Sequence, residues 1–209
     1  MDKLSELFKK CLDVEYIHVA ESADYYIETE GKRLYIYLQC SNGIEDWINN
    51  FDFPISVYKR ENDKRWFCHR GFLRAFSALM PYVKESIDNF SIDSCTVVGY
   101  SHGGALAILC YEYIWFWYPE LRDNLIGYGF GAPRVLFGKR DSDFINRWRN
   151  FKVIRNLDDI VTHLPPVVLG YFHASEVLNI GERGKYSCID AHRPENILRE
   201  LMIFEQGAR

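Results

Sequence analysis

The chain has 209 residues, enough for one domain over 1–209 with a sizeable core. A net charge of −4 gives no footprint for nucleic acid, and no apolar run reaches the roughly 18 residues a membrane-spanning helix needs. The six cysteines, at 11, 40, 68, 95, 110 and 188, show neither a C-x-x-C pair nor metal-ligand spacing, so neither metal nor cofactor is expected.

Met1 to Asp13 alternates charge with Leu4, Leu7, Phe8 and Leu12. That is an amphipathic helix and not the unbroken apolar core of a leader, so a cytoplasmic location is expected. Tyr16–Ala20, Tyr25–Glu30 and Arg33–Leu38 read as strands, the last two joined through Gly31 as a hairpin. The alternating aliphatic and aromatic residues from Leu34 to Leu38 suit an interior strand. Gln39 to Gly43 is a polar loop at its carboxyl end, where α/β sheets place ligands. Ile44, Trp47, Ile48 and Phe51 then share one helical face, either an ordinary core-facing helix or a short lid over 42–51.

Lys59 to Lys64 reads as a charged surface turn, and Phe72 to Asn89 as a helix facing the core through Leu73, Phe76, Leu79 and Val83. A strand at 94–98 leads into a helix that Pro119 ends near Tyr118. Strands follow at Ile126–Phe130 and Phe151–Asn156, a helix between Asp141 and Asn150, and a loop and edge strand within Tyr171–Ile180. The chain closes with a helix from Pro194 to about Phe204. Strands alternating with helices predict an α/β fold, with a mostly parallel central sheet flanked by helices.

Between the 94–98 strand and its helix lies Gly99-Tyr100-Ser101-His102-Gly103, a G-x-S-x-G pentapeptide. A strand that turns sharply into a helix brings two backbones so close that a Cβ at either glycine would clash. The turn strains Ser101 and exposes its hydroxyl above the sheet edge. The helix N-terminus behind it offers free N–H groups to a developing oxyanion. This is the pattern of a nucleophilic serine.

These signposts together resemble the class 3 lipase family of α/β-hydrolases, over roughly residues 30 to 200. The resemblance rests on segments in the family's order: Tyr35–Ser41 with Asp46-Trp47, His69-Arg70-Gly71-Phe72, Gly99–Ala105, Gly131-Ala132-Pro133-Arg134, Asn156 to Pro166 and, more weakly, Asp190-Ala191-His192. It implies Ser101 as nucleophile, Asp159 as triad acid and His192 as general base, in the chain order the scaffold demands. It also implies an oxyanion hole from Ser41 and the backbone N–H of His102, with Trp47 and Ile48 touching the acyl chain.

The chain departs from the family at two places. Tyr100 and His102 stand where His and Leu are usual around the nucleophile. Gln39-Cys40-Ser41 replaces an Arg-Gly-Thr or Arg-Gly-Ser oxyanion loop. Among rivals, His173 stands behind His192 as base and Asp158 behind Asp159 as acid. His18 and His69 read as structural, and His163 lies only four residues beyond Asp159.

The implied chemistry is hydrolysis of an acyl ester or lipid through an acyl-enzyme, with transient contact to a membrane or micelle interface and no stable partner. Two alternatives stay open: a thioesterase or acyltransferase of the same fold, and an inactive hydrolase fold used as a binding module.

Overall fold

The computed structural model describes residues 3–20, 23–39, 54–61, 64–138 and 146–207. The expected lid at 42–51, with Trp47 and Ile48, and the expected oxyanion residue Ser41 lie outside the described residues.

Helix α1 (Leu4–Asp13) precedes three strands, β1 (Ile17–Ala20), β2 (Ala23–Glu30) and β3 (Arg33–Gln39). These pair antiparallel in sequence order. From β3 outward the main sheet is parallel: β3 beside β6 (Ser94–Tyr100), then β7 (Leu125–Phe130), β9 (Phe151–Asn156) and the edge strand β11 (Glu176–Ile180). Parallel neighbours need crossover connections, and the helices over residues 70–89 and 102–117 lie in those from β3 to β6 and from β6 to β7.

Alternation along the strands sorts the core onto two faces. Leu34, Ile36 and Leu38 of β3 and Cys95 and Val97 of β6 point to one side. Helices α2 (Arg70–Asn89) and α3 (His102–Trp117) pack there. Tyr35, Tyr37 and Val98 point to the other side, against Leu7, Phe8 and Cys11 of α1 and Ile197 and Leu201 of α4 (Pro194–Gly207). Helix α2 buries Phe72, Phe76, Leu79 and Val83 at spacings of three and four, the single apolar stripe of a helix with one wet face. Helix α3 is apolar all round and is buried from His102 to Glu112, as such a helix must be.

The segment expected as a charged turn at Lys59–Lys64 belongs instead to a hairpin. Strand β4 (Ile55–Glu61) pairs antiparallel with β5 (Lys64–His69). They form a second, four-stranded sheet with the two-residue strands β8 (Leu136–Phe137) and β10 (Tyr171–Phe172). Two features hide this sheet from periodicity. A register break between Val57 and Lys59 shifts the alternation, and two-residue strands have no period to read.

The parallel strands all end on one edge of the main sheet. Gln39, Tyr100, Phe130, Asn156 and Ile180 are their last residues, so the loops that follow them converge there.

Candidate active site

Ser101 sits between β6 and α3 with φ 56° and ψ −121°, the only residue other than glycine with positive φ among the described residues. A side chain held in that region costs about 1–3 kcal/mol and persists only where the surroundings fix it. Here the Ser101 N–H donates to the Phe130 carbonyl at 2.8 Å, and its own carbonyl accepts from Ala105 N–H at 3.3 Å. Close approach explains the flanking glycine: a Cβ on Gly103 would lie 2.0 Å from the Leu38 carbonyl oxygen and 2.7 Å from Gln39 Cα. The end of β3 therefore runs directly against the elbow.

Asp159 and His192 come from the loops after β9 and β11. His192 Nδ1 and Asp159 Oδ2 are 2.8 Å apart, and both residues are buried, Asp159 at 0% exposure. The other carboxylate oxygen of Asp159 accepts the Val161 N–H at 2.9 Å, which fixes the carboxylate plane. With Nδ1 on a carboxylate, the neutral imidazole carries its proton there and leaves Nε2 as the acceptor. Nε2 is buried and has no hydrogen-bond partner in the protein. The imidazole lies over the ring of Tyr100, next to Ser101, with centroids 5.2 Å apart and planes inclined by 21°. The structure thus joins Asp159 to His192 and sets the imidazole on Tyr100, the residue before Ser101.

The rival residues have other partners. His173 Nε2 meets the Thr162 carbonyl at 2.8 Å, and burial pushes its pKa down to about 3. Asp158 accepts the Gly184 N–H at 2.5 Å, away from His192. Asp190, half-exposed, pairs with Ser187 at 2.6 Å and Arg193 at 2.9 Å. His69 caps α2 by accepting the Phe72 N–H, and His18 pairs with Asp24 on the first hairpin. The His102 side chain packs against Phe72, edge to face at 5.1 Å. Burial, and then neighbouring His69, lowers its pKa to about 4, so at neutral pH it adds no charge beside Ser101.

Three supporting residues carry no role in the sequence reading. Gly131 has φ +57°, and a Cβ on it would meet His192 Cε1 at 2.7 Å. Arg134 donates to the carbonyls of His163 and Pro165, fastening the loop that follows Asp159. Tyr100 donates its O–H to the His192 carbonyl at 2.8 Å. Gly131 and Arg134 stand in the Gly-Ala-Pro-Arg segment, so their positions were marked although their contacts were not. The signal for Tyr100 was an aromatic residue directly before the serine.

A serine at a strained strand–helix turn and an Asp–His pair on neighbouring loops, all at the carboxyl edge of a mostly parallel sheet, define an α/β-hydrolase. A family model described as Lipase (class 3) matches residues 35–169. The lipase of Rhizomucor miehei is 30% identical over 151 residues, covering 69% of this chain and 41% of its own. Secreted mono- and diacylglycerol lipase 1 of Fusarium solani is 28% identical over 166 residues, covering 72% and 45%. The chain belongs to the class 3 lipase family.

Among solved structures, Rhizomucor miehei triacylglyceride lipase aligns with a TM-score of 0.64 at 27% identity, over 81% of this chain and 68% of that one. A fungal lipase–inhibitor complex gives 0.65 at 26% identity, over 81% and 66%. These matches bear out the expected family and α/β-hydrolase fold. The aligned part is less than half of either curated relative's length.

The relatives overturn the expected cytoplasmic location. One is named as secreted, and the Rhizomucor miehei enzyme is also solved with its propeptide. The features behind that expectation serve folding: Leu7, Phe8 and Cys11 of the charge-alternating helix are core residues, and Cys68, Cys95 and Cys110 are buried thiols.

Proposed function

We propose that this chain is a serine carboxylic-ester hydrolase acting on lipid or other acyl esters through an acyl-enzyme. The observation that carries the reading is the buried Asp159–His192 pair, stacked on the residue before a positive-φ serine. Ser101 Oγ attacks the acyl carbonyl while His192 Nε2 takes its proton, and Asp159 stabilises the imidazolium that forms. The tetrahedral oxyanion faces the N-terminus of α3, with the His102 backbone N–H and Ser41 as donors. His192 then protonates the leaving alcohol, and a water activated by the same imidazole releases the acid. Residues 42–51 act as a short lid, with Trp47 and Ile48 on the acyl chain and in passing contact with a membrane or micelle surface. The lipase and acylglycerol lipase names of the relatives support lipid esters as the substrate class.

The test is hydrolysis of p-nitrophenyl esters from acetate to palmitate, below and above micelle formation, with Ser101→Ala beside the wild type. Hydrolysis abolished by Ser101→Ala supports the reading, and unchanged hydrolysis defeats it. Preference for long chains with a rate jump at the micelle marks a lipase with a moving lid. Preference for short chains without the jump marks an esterase in which 42–51 is a fixed wall.

A further inference from the structure

The loop carrying His192 is held by two main-chain oxygens in a row. Asn156, the last residue of β9, donates its side-chain amide to the Ala191 carbonyl at 2.9 Å. Tyr100, the last residue of β6, donates its hydroxyl to the His192 carbonyl at 2.8 Å, across 92 positions of chain. The Tyr100 ring makes a second contact, since the His192 imidazole stacks on one of its faces at 5.2 Å. The Phe8 ring of α1 meets the same tyrosine at 5.5 Å and 71°, so the phenol is fixed on that side as well. Burial raises the Tyr100 pKa well above its usual 10, which keeps the hydroxyl a donor at any working pH.

The geometry points to Tyr100 as the positioning residue for the general base: its hydroxyl sets the height of the His192 backbone, and its ring sets the plane of the imidazole. The inference rests on the proposed role of His192 and deepens it. A base in this chemistry must keep Nε2 within hydrogen-bond reach of the serine while Nδ1 stays on the carboxylate. The Asp159 bond alone leaves the ring free to tilt about the Nδ1–carboxylate direction, and a face-on aromatic wall removes that tilt. When His192 holds the Ser101 proton, the same π face is also a favourable neighbour for an imidazolium. Because Tyr100 directly precedes Ser101, one residue joins the nucleophile's turn to the loop of the base.

The test compares Tyr100→Phe, which keeps the ring and loses the hydroxyl, with Tyr100→Leu, which loses both, and Tyr100→His, which keeps a flat ring with an N–H donor. Two readouts are followed: kcat and KM on a short p-nitrophenyl ester, and the downfield proton resonance of His192 Nδ1–H. We expect kcat to fall about tenfold in Tyr100→Phe, the size of one buried hydrogen bond, with KM within about twofold. Tyr100→Leu falls further, Tyr100→His recovers part of the loss, and the Nδ1–H resonance broadens in step. Wild-type kcat and an unchanged resonance in Tyr100→Phe would overturn the inference, as would a loss confined to KM. The resonance also separates this inference from the hydrolase reading. If Ser101→Ala left hydrolysis intact while Tyr100→Phe still broadened the signal, the esterase assignment would fall and the positioning role would stand.

Discussion

Asp159 and His192 are 33 positions apart in the chain and 2.8 Å apart in space, with Gly131 closed over both. At Gly131 the backbone is left-handed, φ +57°, and a Cβ would lie 2.7 Å from His192 Cε1 and 3.1 Å from Asp159 Oδ2. The Asp–His bond therefore forms in a slot that only glycine leaves open.

Gly131→Ala is expected to displace the imidazole by a sizeable fraction of an ångström. Misplacement on that scale costs on the order of 100-fold in kcat/KM. Steady-state kinetics on a short ester, beside a melting curve to show that the protein is folded, check it. Activity within about twofold of wild type would mean the slot does not constrain the pair.

Asp159→Asn and Asp158→Asn separate two adjacent carboxylates. The first removes the partner of His192 Nδ1 and invites the wrong tautomer, so kcat should drop by about 10⁴. The second removes the acceptor of the Gly184 N–H, away from His192, and kcat should stay within about twofold. The two variants run side by side on one substrate decide the matter, and a large loss in Asp158→Asn with little in Asp159→Asn would reverse the choice of acid.

His102 and His173 give a pH dependence to stability. Their pKa values are pushed from the ordinary 6.5 down to about 4 and about 3, in both cases chiefly by burial. Between those values and 6.5 the unfolded chain binds more protons than the folded one. The stability these residues contribute is thus fully present above pH 6.5 and is lost as pH falls through the window toward 4 and then 3. Each adds a slope of up to about 1.4 kcal/mol per pH unit there. Denaturant unfolding from pH 7 to 4 should show the decline, and His173→Gln, which keeps an amide donor for the Thr162 carbonyl, should flatten it. An equal slope in that variant would clear His173 of the effect.

Glu112 of α3 and Arg147 form a buried ion pair at 3.0 Å, and Tyr58 donates its hydroxyl to the same carboxylate oxygen at 2.9 Å. The guanidinium also lies 5.0 Å from the Phe116 ring centre. Removing Glu112 takes away a counter-charge of the buried guanidinium, so Glu112→Ala should cost about 3–5 kcal/mol. The double change Glu112→Leu with Arg147→Met should restore most of it, because neither charge then remains to be desolvated. Chemical denaturation of the three proteins measures the difference.

The sequence alone determined the parts of this protein that depend on local rules. The Gly-x-Ser-x-Gly turn between an apolar strand and a small-residue helix is a backbone constraint, and it located Ser101 before any partner was known. The resemblance to the class 3 lipase family implied Asp159 and His192 as its partners. Alternation from Leu34 to Leu38 marked an interior strand with two buried faces, as β3 proves to be. The hairpin β4–β5 was not legible, because its register break disturbs the two-residue period and its tip is charged.

Tertiary structure decided what depends on contacts between distant segments. Asp158 and Asp159 are chemically identical neighbours, and only the direction of the loop after β9 gives one to Gly184 and the other to His192. His173 and His192 differ through the company of their nitrogens, a backbone carbonyl for one and a carboxylate for the other. The stacking of Tyr100 on His192 joins two residues 92 positions apart. No period or spacing in a linear chain encodes such a meeting, because it is set by how the parallel strands bring their carboxyl ends to one edge.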